Sequence, residues 1–554
     1  MQTTPESPLS PVRTALSELL RDLVSRAGVP LDHPPEVHAE AAHFAANPGI
    51  DDPELTDLRH LPFVTIDART SKDLDQALFL ATREDGLISV YYALADAAYY
   101  VRPGSALFAE ALKRGASFYL PGYAVPMLPR ALSEGVVSLN EGVDRRALVF
   151  ETTVARDGSV QGTNVYRARI SSRAKLAFDD VQDLYDGVAS ATTEALAAAP
   201  YAASLGLLRV VGEARVAEAS HRDVVRYRRS EIDLKPDGGG FLYPTRSVRK
   251  EVELYNEQLS LLCNAEGARI LRETPPDYVQ PLYRIHPPPD DADLERFPRF
   301  IAALVAMHGL PRDPWLFPDV ALDEISRALA GYLRRLPEGG PTDGIARAIH
   351  RQAVILNQRS QFVSEPSAHF GVGASSYARF SAPMRELVGI FLHKEMTELL
   401  TQRCDDAVAD RALRDQVVAA GNASKDLQRS LDEGVRALVH ERIFGQQLPL
   451  PVAERTRFSG TVLGLAGGKI HVELETPALD VKVFFRDLGI ALAPAGTRPI
   501  WLETGHEGAA LLGGPPGPGT EGKPLVRVGD SIAVVVTGLD EKRNRWILLP
   551  DFAV

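Results

Sequence analysis

Apolar residues recur at two different spacings, and the changes between them divide the chain into three parts. The first part carries a stripe with the i, i+3, i+4, i+7 spacing of an amphipathic helix, made of Leu16, Leu19, Leu20, Leu23 and Val24. Residues 35–46 predict a second helix. We therefore expect residues 1–58 to form a small N-terminal helical module, helix-turn-helix-like in arrangement.

Residues 59–445 mix strand-like and helical periods. Ile88, Val90, Tyr92 and Leu94 alternate along one predicted strand, and helical stretches such as 106–114 and 247–271 follow it. This mixture predicts one large α/β domain. The chain as a whole is predicted to be a multidomain α/β (α+β) protein, since 554 residues are too many for a single core.

Pro449 and Pro451 mark a linker to a β-rich end. Five strand-like runs follow, at 458–465, 469–474, 481–485, 531–538 and 545–549. Five short strands in about 100 residues are typical of an OB-fold β-barrel, which we predict for residues 446–554. The Gly/Pro-rich stretch 505–522 is predicted to be a long flexible loop.

Three carboxylates meet in the loop between two apolar runs near residue 70. Asp67 ends the run Phe63–Ile66, and Asp73 and Asp75 precede the next run. Asp73 and Asp75 are two residues apart, so an extended backbone projects them to one face. Carboxylates this close repel unless a cation lies between them, and oxygen ligands favour Mg²⁺ or Mn²⁺. A solvated acidic turn is the alternative, and the spacing alone leaves both interpretations open.

Composition and charge restrict the function classes. The chain is 45% apolar and 24% charged, as in ordinary globular proteins. Its two cysteines, Cys263 and Cys404, form no zinc or CxxC pattern, which favours a reducing cytoplasm without disulfides. No apolar run is long enough for a membrane span. The net charge of −12 argues mildly against nucleic-acid binding unless arginines are concentrated locally.

Several motifs, in order, resemble the catalytic (RNB) domain of the ribonuclease II/R family. They are the Thr65–Asp75 segment, Ala93-Leu94-Ala95-Asp96-Ala97, Tyr119-Leu120-Pro121-Gly122, Pro126–Ser133, Leu139–Leu148 and the block from Glu365 to Arg385. The resemblance covers about residues 60 to 445, and residues 59–445 are expected to be the RNB domain. Family members commonly carry cold-shock domains at the N terminus, which the short helical module replaces here. Whether that module contacts RNA or packs on the catalytic domain stays open.

The resemblance implies processive 3′-to-5′ hydrolysis of single-stranded RNA to nucleoside 5′-monophosphates, a Mg²⁺-dependent reaction with Mn²⁺ as the alternative. It assigns metal ligation to Asp67, Asp73, Asp75 and Gln76. Gln76 would bind the metal through its side-chain carbonyl oxygen. Asp75 has the most sensitive catalytic role, and Arg385 would offset charge on the phosphate. Glu433 matches a glutamate that in relatives lies over the active site, within an uncertainty of one residue. We also expect a monomer.

The RNA-contacting residues are expected in two places. In the RNB domain they are Tyr119, whose counterpart grips the terminal nucleotide, with Tyr377 and Arg379. On the C-terminal domain, similar to the ribosomal-protein S-one type, they are Phe458, His471, Lys482 and Phe484. Further sources of positive charge are Arg222, Arg226, Arg228, Arg229, Arg246, Arg249 and Lys250.

Four positions depart from the family pattern. Gln76 stands where a second aspartate is usual, Glu386 in place of an arginine, Leu387 in place of a tyrosine and Gly389 in place of an aspartate. A neutral ligand at residue 76 would weaken one metal site. The alternative function is therefore a catalytically weakened or inactive RNA-binding protein, and a nuclease for another polymer such as DNA is a third.

Overall fold

The computed structural model describes residues 11–221, 224, 231–236, 241–275, 278–403, 406–513 and 523–554. Two helices come first, α1 (Pro11–Arg26) and α2 (Pro35–Ala46). Leu20 and Val24 of α1 are buried against the rest of the protein. Leu16 and Leu23 also pack there, whereas Leu19 is 41% exposed, so four of the five residues of the predicted stripe form a packing face.

Between α2 and residue 363, the described residues form twelve strands. They are β1 (Thr56–Asp57), β2 (Phe63–Asp67), β3 (Gln76–Thr82), β4 (Ile88–Ala95), β5 (Phe118–Leu120), β6 (Tyr123–Val125), β7 (Asp144–Val154), β8 (Val160–Ala177), β9 (Glu231–Pro236), β10 (Leu242–Ser247), β11 (Tyr283–Ile285) and β12 (Gln361–Val363). Six of them form one sheet in the order β1-β8-β2-β3-β4-β7. The long strand β8 pairs with β2 on one side and with β7 on the other, so the sheet closes on itself.

Twelve further helices belong to the described part of this region. They are α3 (Ala97–Tyr100), α4 (Ala106–Arg114), α5 (Phe178–Tyr185), α6 (Ala191–Ala198), α7 (Ala202–His221), α8 (Glu251–Glu273), α9 (Asp291–His308), α10 (Arg312–Trp315), α11 (Leu322–Arg335), α12 (Asp343–Ile355), α13 (Leu387–Thr401) and α14 (Ala407–Gly445). Several pack on this closed sheet, whereas α9 to α12 share a second hydrophobic core with the C-terminal strands. No single helix of the described part is long and apolar enough to cross a membrane, although the bent pair Ala191–Ala198 and Ala202–Ser220 passes that test together.

The last part is a five-stranded antiparallel sheet with a small annex. Its elements are β13 (Phe458–Ala466), β14 (Lys469–Leu474), β15 (Leu479–Phe484), α15 (Phe485–Ala491), β16 (Leu502–Gly505), β17 (Ala510–Gly513), β18 (Lys523–Arg527), β19 (Ser531–Asp540) and β20 (Arg545–Pro550). The main sheet has the order β15-β14-β13-β19-β20. Strands β16, β17 and β18 form the annex. The loop predicted over 505–522 is thus partly strand, because Ala510 and Leu511 are fully buried; residues 514–522 lie outside the described residues.

The N-terminal module is tied to helix α4. Glu40 accepts hydrogen bonds from the Ala106 and Leu107 backbone N–H groups at the start of α4, both at 2.9 Å. At the other end of α4, Arg114 donates to the carbonyls of Pro30 and Asp32. These contacts hold both ends of a helix that leads directly into β5.

Candidate active site

The acidic loop lies between two paired strands of the closed sheet. Asp67 ends β2 and the loop returns through Asp75 to β3. Ser138 fixes the loop, because its Oγ accepts from the Leu74 N–H at 3.0 Å and donates to the Lys72 carbonyl at 2.8 Å. Lys175 of β8 donates to the carbonyls of Arg69 and Ser71. The loop is therefore held by side chains from outside it.

Each of the three carboxylates has its own protein donors. Asp67 Oδ1 accepts from the Ala68 N–H at 2.7 Å and the Ser71 hydroxyl at 2.9 Å. Asp73 Oδ2 accepts from the Tyr119 hydroxyl at 2.5 Å. Both oxygens of Asp75 are occupied by residues of the 384–385 turn. The second oxygens of Asp67 and Asp73 carry no hydrogen bond from the described residues, so they are the atoms left for a cation.

Asp75 and Arg385 form a buried ion pair. Asp75 is 2% exposed, and its Oδ1 accepts from the Met384 N–H at 2.8 Å. Its Oδ2 accepts from Arg385 Nε at 2.5 Å. Burial raises the pKa of Asp75 to about 6, although Arg385 and the Met384 N–H favour the ionised form. The pair spans 310 positions of sequence and joins the acidic loop to the second motif block.

Tyr119 stands beside this pair on the β5–β6 hairpin. It is 42% exposed, although its hydroxyl is bonded to Asp73. Burial of the hydroxyl and the charge of Asp73 raise the pKa of Tyr119 above its usual value. Gln428 of α14 holds the Tyr119 backbone, accepting from its N–H and donating to its carbonyl, each at 3.1 Å. The ring is thus fixed at one edge and open at the other.

The structure places the Gln76 side chain away from the three carboxylates. Its amide nitrogen donates to the Ser381 carbonyl, and its amide oxygen accepts from the Tyr92 hydroxyl. Asp75 and Gln76 are consecutive residues at the start of a strand, so they project to opposite faces. Gln76 connects β3 and β4 to the segment before Arg385 and offers no oxygen to an ion in this arrangement.

The three other departures from the family pattern also have packing partners. Glu386 accepts from Arg379 Nε at 3.1 Å, and Arg379 and Arg284 hold the pKa of Glu386 below its usual value against the effect of burial. A Cβ atom on Gly389 would lie 3.0 Å from the Pro383 Cα, so glycine permits this close approach. Leu387 is fully buried in the core.

Several predicted RNA-contacting residues lie elsewhere. Tyr377 is 2% exposed and its hydroxyl accepts from Asn264, so it has a structural position. Phe458 is 5% exposed and packs on Phe444 with ring centroids 5.7 Å apart, which corrects the expectation that it is open to stacking. Glu433 is exposed and lies about 140° around α14 from Gln428, so the two side chains point to different sides of the helix.

The remaining predicted RNA contacts of the C-terminal part are partly exposed. Exposed Lys482 lies opposite half-buried His471 on the neighbouring strand. The Phe484 ring is half-buried and carries the Arg545 guanidinium 4.0 Å from its centroid. Lys482 and the edge of His471 therefore remain as contacts on this face, and one side of Phe484 is covered.

The other predicted cations are largely paired. Arg246 lies 3.3 Å from Glu473, Arg249 lies 3.0 Å from Glu257, and Lys250 pairs with Asp179. The arginines at 222, 226, 228 and 229 lie outside the described residues.

A trio of acidic side chains elsewhere has its own cation. Among the described residues, the carboxylates of Glu395, Glu398 and Asp410 are the three whose oxygens approach within 4.8 Å of one another. Lys394 lies 3.0, 2.8 and 2.6 Å from them. The ammonium group already supplies the positive charge there, so this cluster is a structural ion network rather than the metal centre predicted from the sequence.

The chain is similar to one known family and to several known proteins. A model of the RNB domain matches residues 55–402. Ribonuclease R of Vibrio cholerae is 29% identical over 386 residues, covering 68% of this chain and 44% of that protein. Exoribonuclease 2 of Klebsiella pneumoniae is 29% identical over 427 residues, covering 76% of this chain and 61% of that protein. The chain spans about half the length of the curated relatives it matches.

Solved structures share the fold. The apo form of Mycoplasma genitalium RNase R has a TM-score of 0.79 at 21% identity, covering 96% of this chain and 77% of that one. Yeast Ssd1, described as a pseudonuclease, has a TM-score of 0.60 at 14% identity, covering 83% of this chain and 52% of that one. At these identities the likeness shows the fold alone, and it confirms the mixed α/β multidomain architecture.

Proposed function

This chain belongs to the RNB domain family, and from that premise we propose that it is an exoribonuclease. It hydrolyses single-stranded RNA processively from the 3′ end, releases nucleoside 5′-monophosphates and acts in RNA degradation. Two relatives of the chain are named ribonuclease R and exoribonuclease 2. The observation that carries the proposal is the joining of Asp75 to Arg385 near Asp73, whose carboxylate is bonded to an open tyrosine ring.

The acidic loop offers the oxygen ligands that a hard divalent cation takes, although Asp67, Asp73 and Asp75 are not among the described carboxylates whose oxygens all lie within 4.8 Å of one another. Asp67 and Asp73 each keep one carboxylate oxygen free of hydrogen bonds from the described residues, and oxygen donors suit Mg²⁺. When bound, such an ion neutralises phosphate charge and supplies a nucleophile at neutral pH. We propose Mg²⁺ as the ion, with Mn²⁺ as the alternative.

Arg385 is the phosphate-binding side chain of the proposal. Asp75 accepts from its Nε, which leaves its two Nη groups as donors for phosphate oxygens. Because Asp75 is buried and also accepts from the Met384 N–H, it fixes the guanidinium in one position. Preorganised donors of this kind stabilise charge that develops in the transition state.

Tyr119 is the proposed platform for the last base of the RNA. A base stacked on such a ring contributes about 1–3 kcal/mol without sequence preference. Its hydroxyl bond to Asp73 places that base next to the acidic loop. RNA rather than DNA is the proposed substrate, and the 2′-OH contacts that would discriminate between them are part of the test.

The domain boundaries and finer folds belong to the same proposal. We propose an OB fold for residues 446–554, because strand order β15-β14-β13-β19-β20, with β20 against β15, closes a five-stranded barrel. We also propose the boundaries predicted from the sequence, a helical module at 1–58 and a catalytic region at 59–445; the RNB domain model matches 55–402. The proposed compartment is the cytoplasm and the proposed state a monomer.

The decisive assay follows a 5′-labelled RNA with Mg²⁺ or Mn²⁺ and analyses both the shortened RNA and the released nucleotides. Wild type should give 5′-monophosphates and a short limit product without intermediates. Asp75→Asn should abolish cleavage yet retain RNA binding. The matched control is Asp51→Asn, since that carboxylate is fully exposed. A DNA oligomer of the same sequence tests whether cleavage requires ribose rather than deoxyribose.

The second candidate is an RNA-binding protein without nuclease activity. It is favoured by Gln76, which contributes neither charge nor a free oxygen to the loop. Intact RNA with either ion, in a sample that binds the same RNA, would establish this candidate and reject the first.

A further inference from the structure

The segment that leads to Arg385 is buried and irregular. Residues 377–385 lie between the short helix Phe370–Val372 and α13, and they belong to no helix or strand. Between Tyr377 and Met384 every residue is buried except Arg379, which is half-buried. Because no helix or sheet supplies hydrogen bonds here, the backbone N–H and C=O groups of this segment need partners from elsewhere in the protein.

Asn264 of helix α8 supplies several of these partners. Its side chain is fully buried. Oδ1 accepts from the backbone N–H groups of Phe380 and Ser381, at 2.8 and 3.0 Å. Nδ2 donates to the Tyr377 hydroxyl and to Ser381 Oγ, both at 2.9 Å. An amide has two donor hydrogens and an oxygen that accepts two bonds, so the whole side chain of Asn264 is used on this one segment.

The turn that carries Arg385 begins directly after Ser381. The Ala382 carbonyl accepts from the Arg385 N–H at 3.1 Å, which closes the turn. Asp75 then accepts from the Met384 N–H and from Arg385 Nε. The turn is therefore fixed by two buried polar side chains, the amide of α8 at its start and the Asp75 carboxylate at its end.

Packing alone does not account for an amide at this position. Leucine has a similar size and shape, and it is a stronger helix former than asparagine, so α8 itself does not require Asn264. An apolar residue here would leave the N–H groups of Phe380 and Ser381 without their acceptor in a buried environment. The asparagine therefore serves the segment that it contacts rather than the helix that carries it.

We propose that Asn264 is a positioning residue for phosphodiester hydrolysis and that it acts through Arg385. The inference rests on the proposed function, in which Arg385 binds the phosphate. Displacing a catalytic group by about 1 Å can lower a rate roughly 100-fold. Asn264 is fully buried and contacts neither the acidic loop nor an exposed surface, so its loss should lower kcat and leave KM nearly unchanged.

The first test compares Asn264→Asp with Asn264→Leu in RNA hydrolysis at saturating Mg²⁺. Aspartate keeps an acceptor for both N–H groups, and the hydroxyls of Tyr377 and Ser381 can rotate to donate to it. We expect kcat to fall less than about threefold for Asn264→Asp and roughly 10- to 100-fold for Asn264→Leu, with KM changed less than about threefold in both. If Asn264 only fills space, leucine should be tolerated better than a buried carboxylate, and that order would overturn the inference.

A double-mutant cycle tests the route through Arg385. In an Arg385→Ala background Asn264→Leu should lower kcat less than about threefold, because no guanidinium remains to be placed. A loss as large as in wild type would contradict the inference. Asn422→Leu is the matched control. Asn422 bonds the Phe362 N–H and carbonyl, both at 2.9 Å, so its replacement also removes a side chain that holds backbone, and its effect should be equal in both backgrounds.

Hydrogen exchange separates this inference from the proposed function. Exchange of the Met384 N–H in the metal-free full chain requires no cleavage. It should be faster in Asn264→Leu than in wild type and Asn264→Asp, and unchanged exchange would overturn the inference. A chain that shows this pattern without cleaving RNA would reject the proposed function alone. If Arg385→Ala has no measurable activity, the exchange rates and the first comparison decide; if Asn264→Leu does not fold in melting curves, the smaller Asn264→Ser takes its place.

Discussion

Replacing Gln76 with aspartate separates two accounts of this position. If the residue served as a weak metal ligand, Gln76→Asp would add charge to the loop and strengthen metal binding. In the structure its amide instead joins the Tyr92 hydroxyl to the Ser381 carbonyl, in the segment that leads to Arg385. We therefore expect Gln76→Asp to lower activity, because the shorter side chain has no N–H group for Ser381.

The size of the effect follows from burial at Ser381. This residue is 1% exposed, so its carbonyl loses a donor that water cannot easily replace. Leaving a buried acceptor unsatisfied costs about 1–3 kcal/mol. If the whole cost falls on the positioning of Arg385, kcat should decrease by about 5- to 150-fold, at 1.36 kcal/mol for each factor of ten. The Ser260 hydroxyl, which donates to Ser381 Oγ at 2.8 Å, limits the displacement.

The assay is a Mg²⁺ titration of RNA hydrolysis by wild type, Gln76→Asp and Gln76→Asn. Asparagine is the matched control, because it has the size of aspartate without the charge. We expect both variants to lose kcat to a similar degree and to need no less Mg²⁺ than wild type. Faster cleavage by Gln76→Asp, at a lower half-saturating Mg²⁺ concentration than Gln76→Asn, would refute this reasoning and restore residue 76 as a ligand position.

Three further predictions concern neighbouring contacts. Gln428→Ala removes both backbone hydrogen bonds to Tyr119 and should lengthen the limit product on gels with a change in KM greater than that in kcat; an unchanged product would contradict it. The pKa of Asp75, raised to about 6, predicts that activity at limiting metal rises with pH through 6. The protonated form of Asp75 contributes stability that is complete below pH 3.8 and is lost as the pH rises through 6. A flat rate profile between pH 5 and 7 would count against this prediction. Glu40→Ala should lower stability by about 1 kcal/mol by uncapping α4, and thermal melts of the exposed control Glu36→Ala should show no such loss.

The local sequence pattern predicted the secondary-structure elements well where the spacing of apolar residues decides which element forms. The five predicted C-terminal runs coincide with β13, β14, β15, β19 and β20 to within a few residues, because alternating apolar positions must face the core. The helix predicted over 106–114 is α4. The annex strands were missed, because Gly and Pro in 505–522 obscured the buried pair Ala510 and Leu511.

The candidate site could be predicted only in part. Motif order identified Asp73, Asp75, Tyr119 and Arg385, which the structure brings together. Gln428 was missed, since its partner lies 309 positions away and a neutral glutamine on a helix carries no local signal.

The role of Asn264 was missed for a related reason. Its side-chain partners lie 113 to 117 positions away, so their meeting depends on tertiary structure. The position of Glu433 on α14 likewise depends on helical phase, which sequence alone does not fix, and the contact of Gln428 with Tyr119 supplies that phase.

Helix α14 has a mechanical consequence. It runs for 39 residues without interruption, which corresponds to about 58 Å. Gln428, beside the tyrosine platform, and Phe444, packed on the C-terminal sheet, lie about 24 Å apart on this one rod. The spacing between the C-terminal sheet and the Tyr119 hairpin is therefore fixed by this one helix. If RNA passes that sheet on its way to the acidic loop, as the proposed function requires, inserting whole turns into α14 would be expected to lengthen the bound footprint in equal steps.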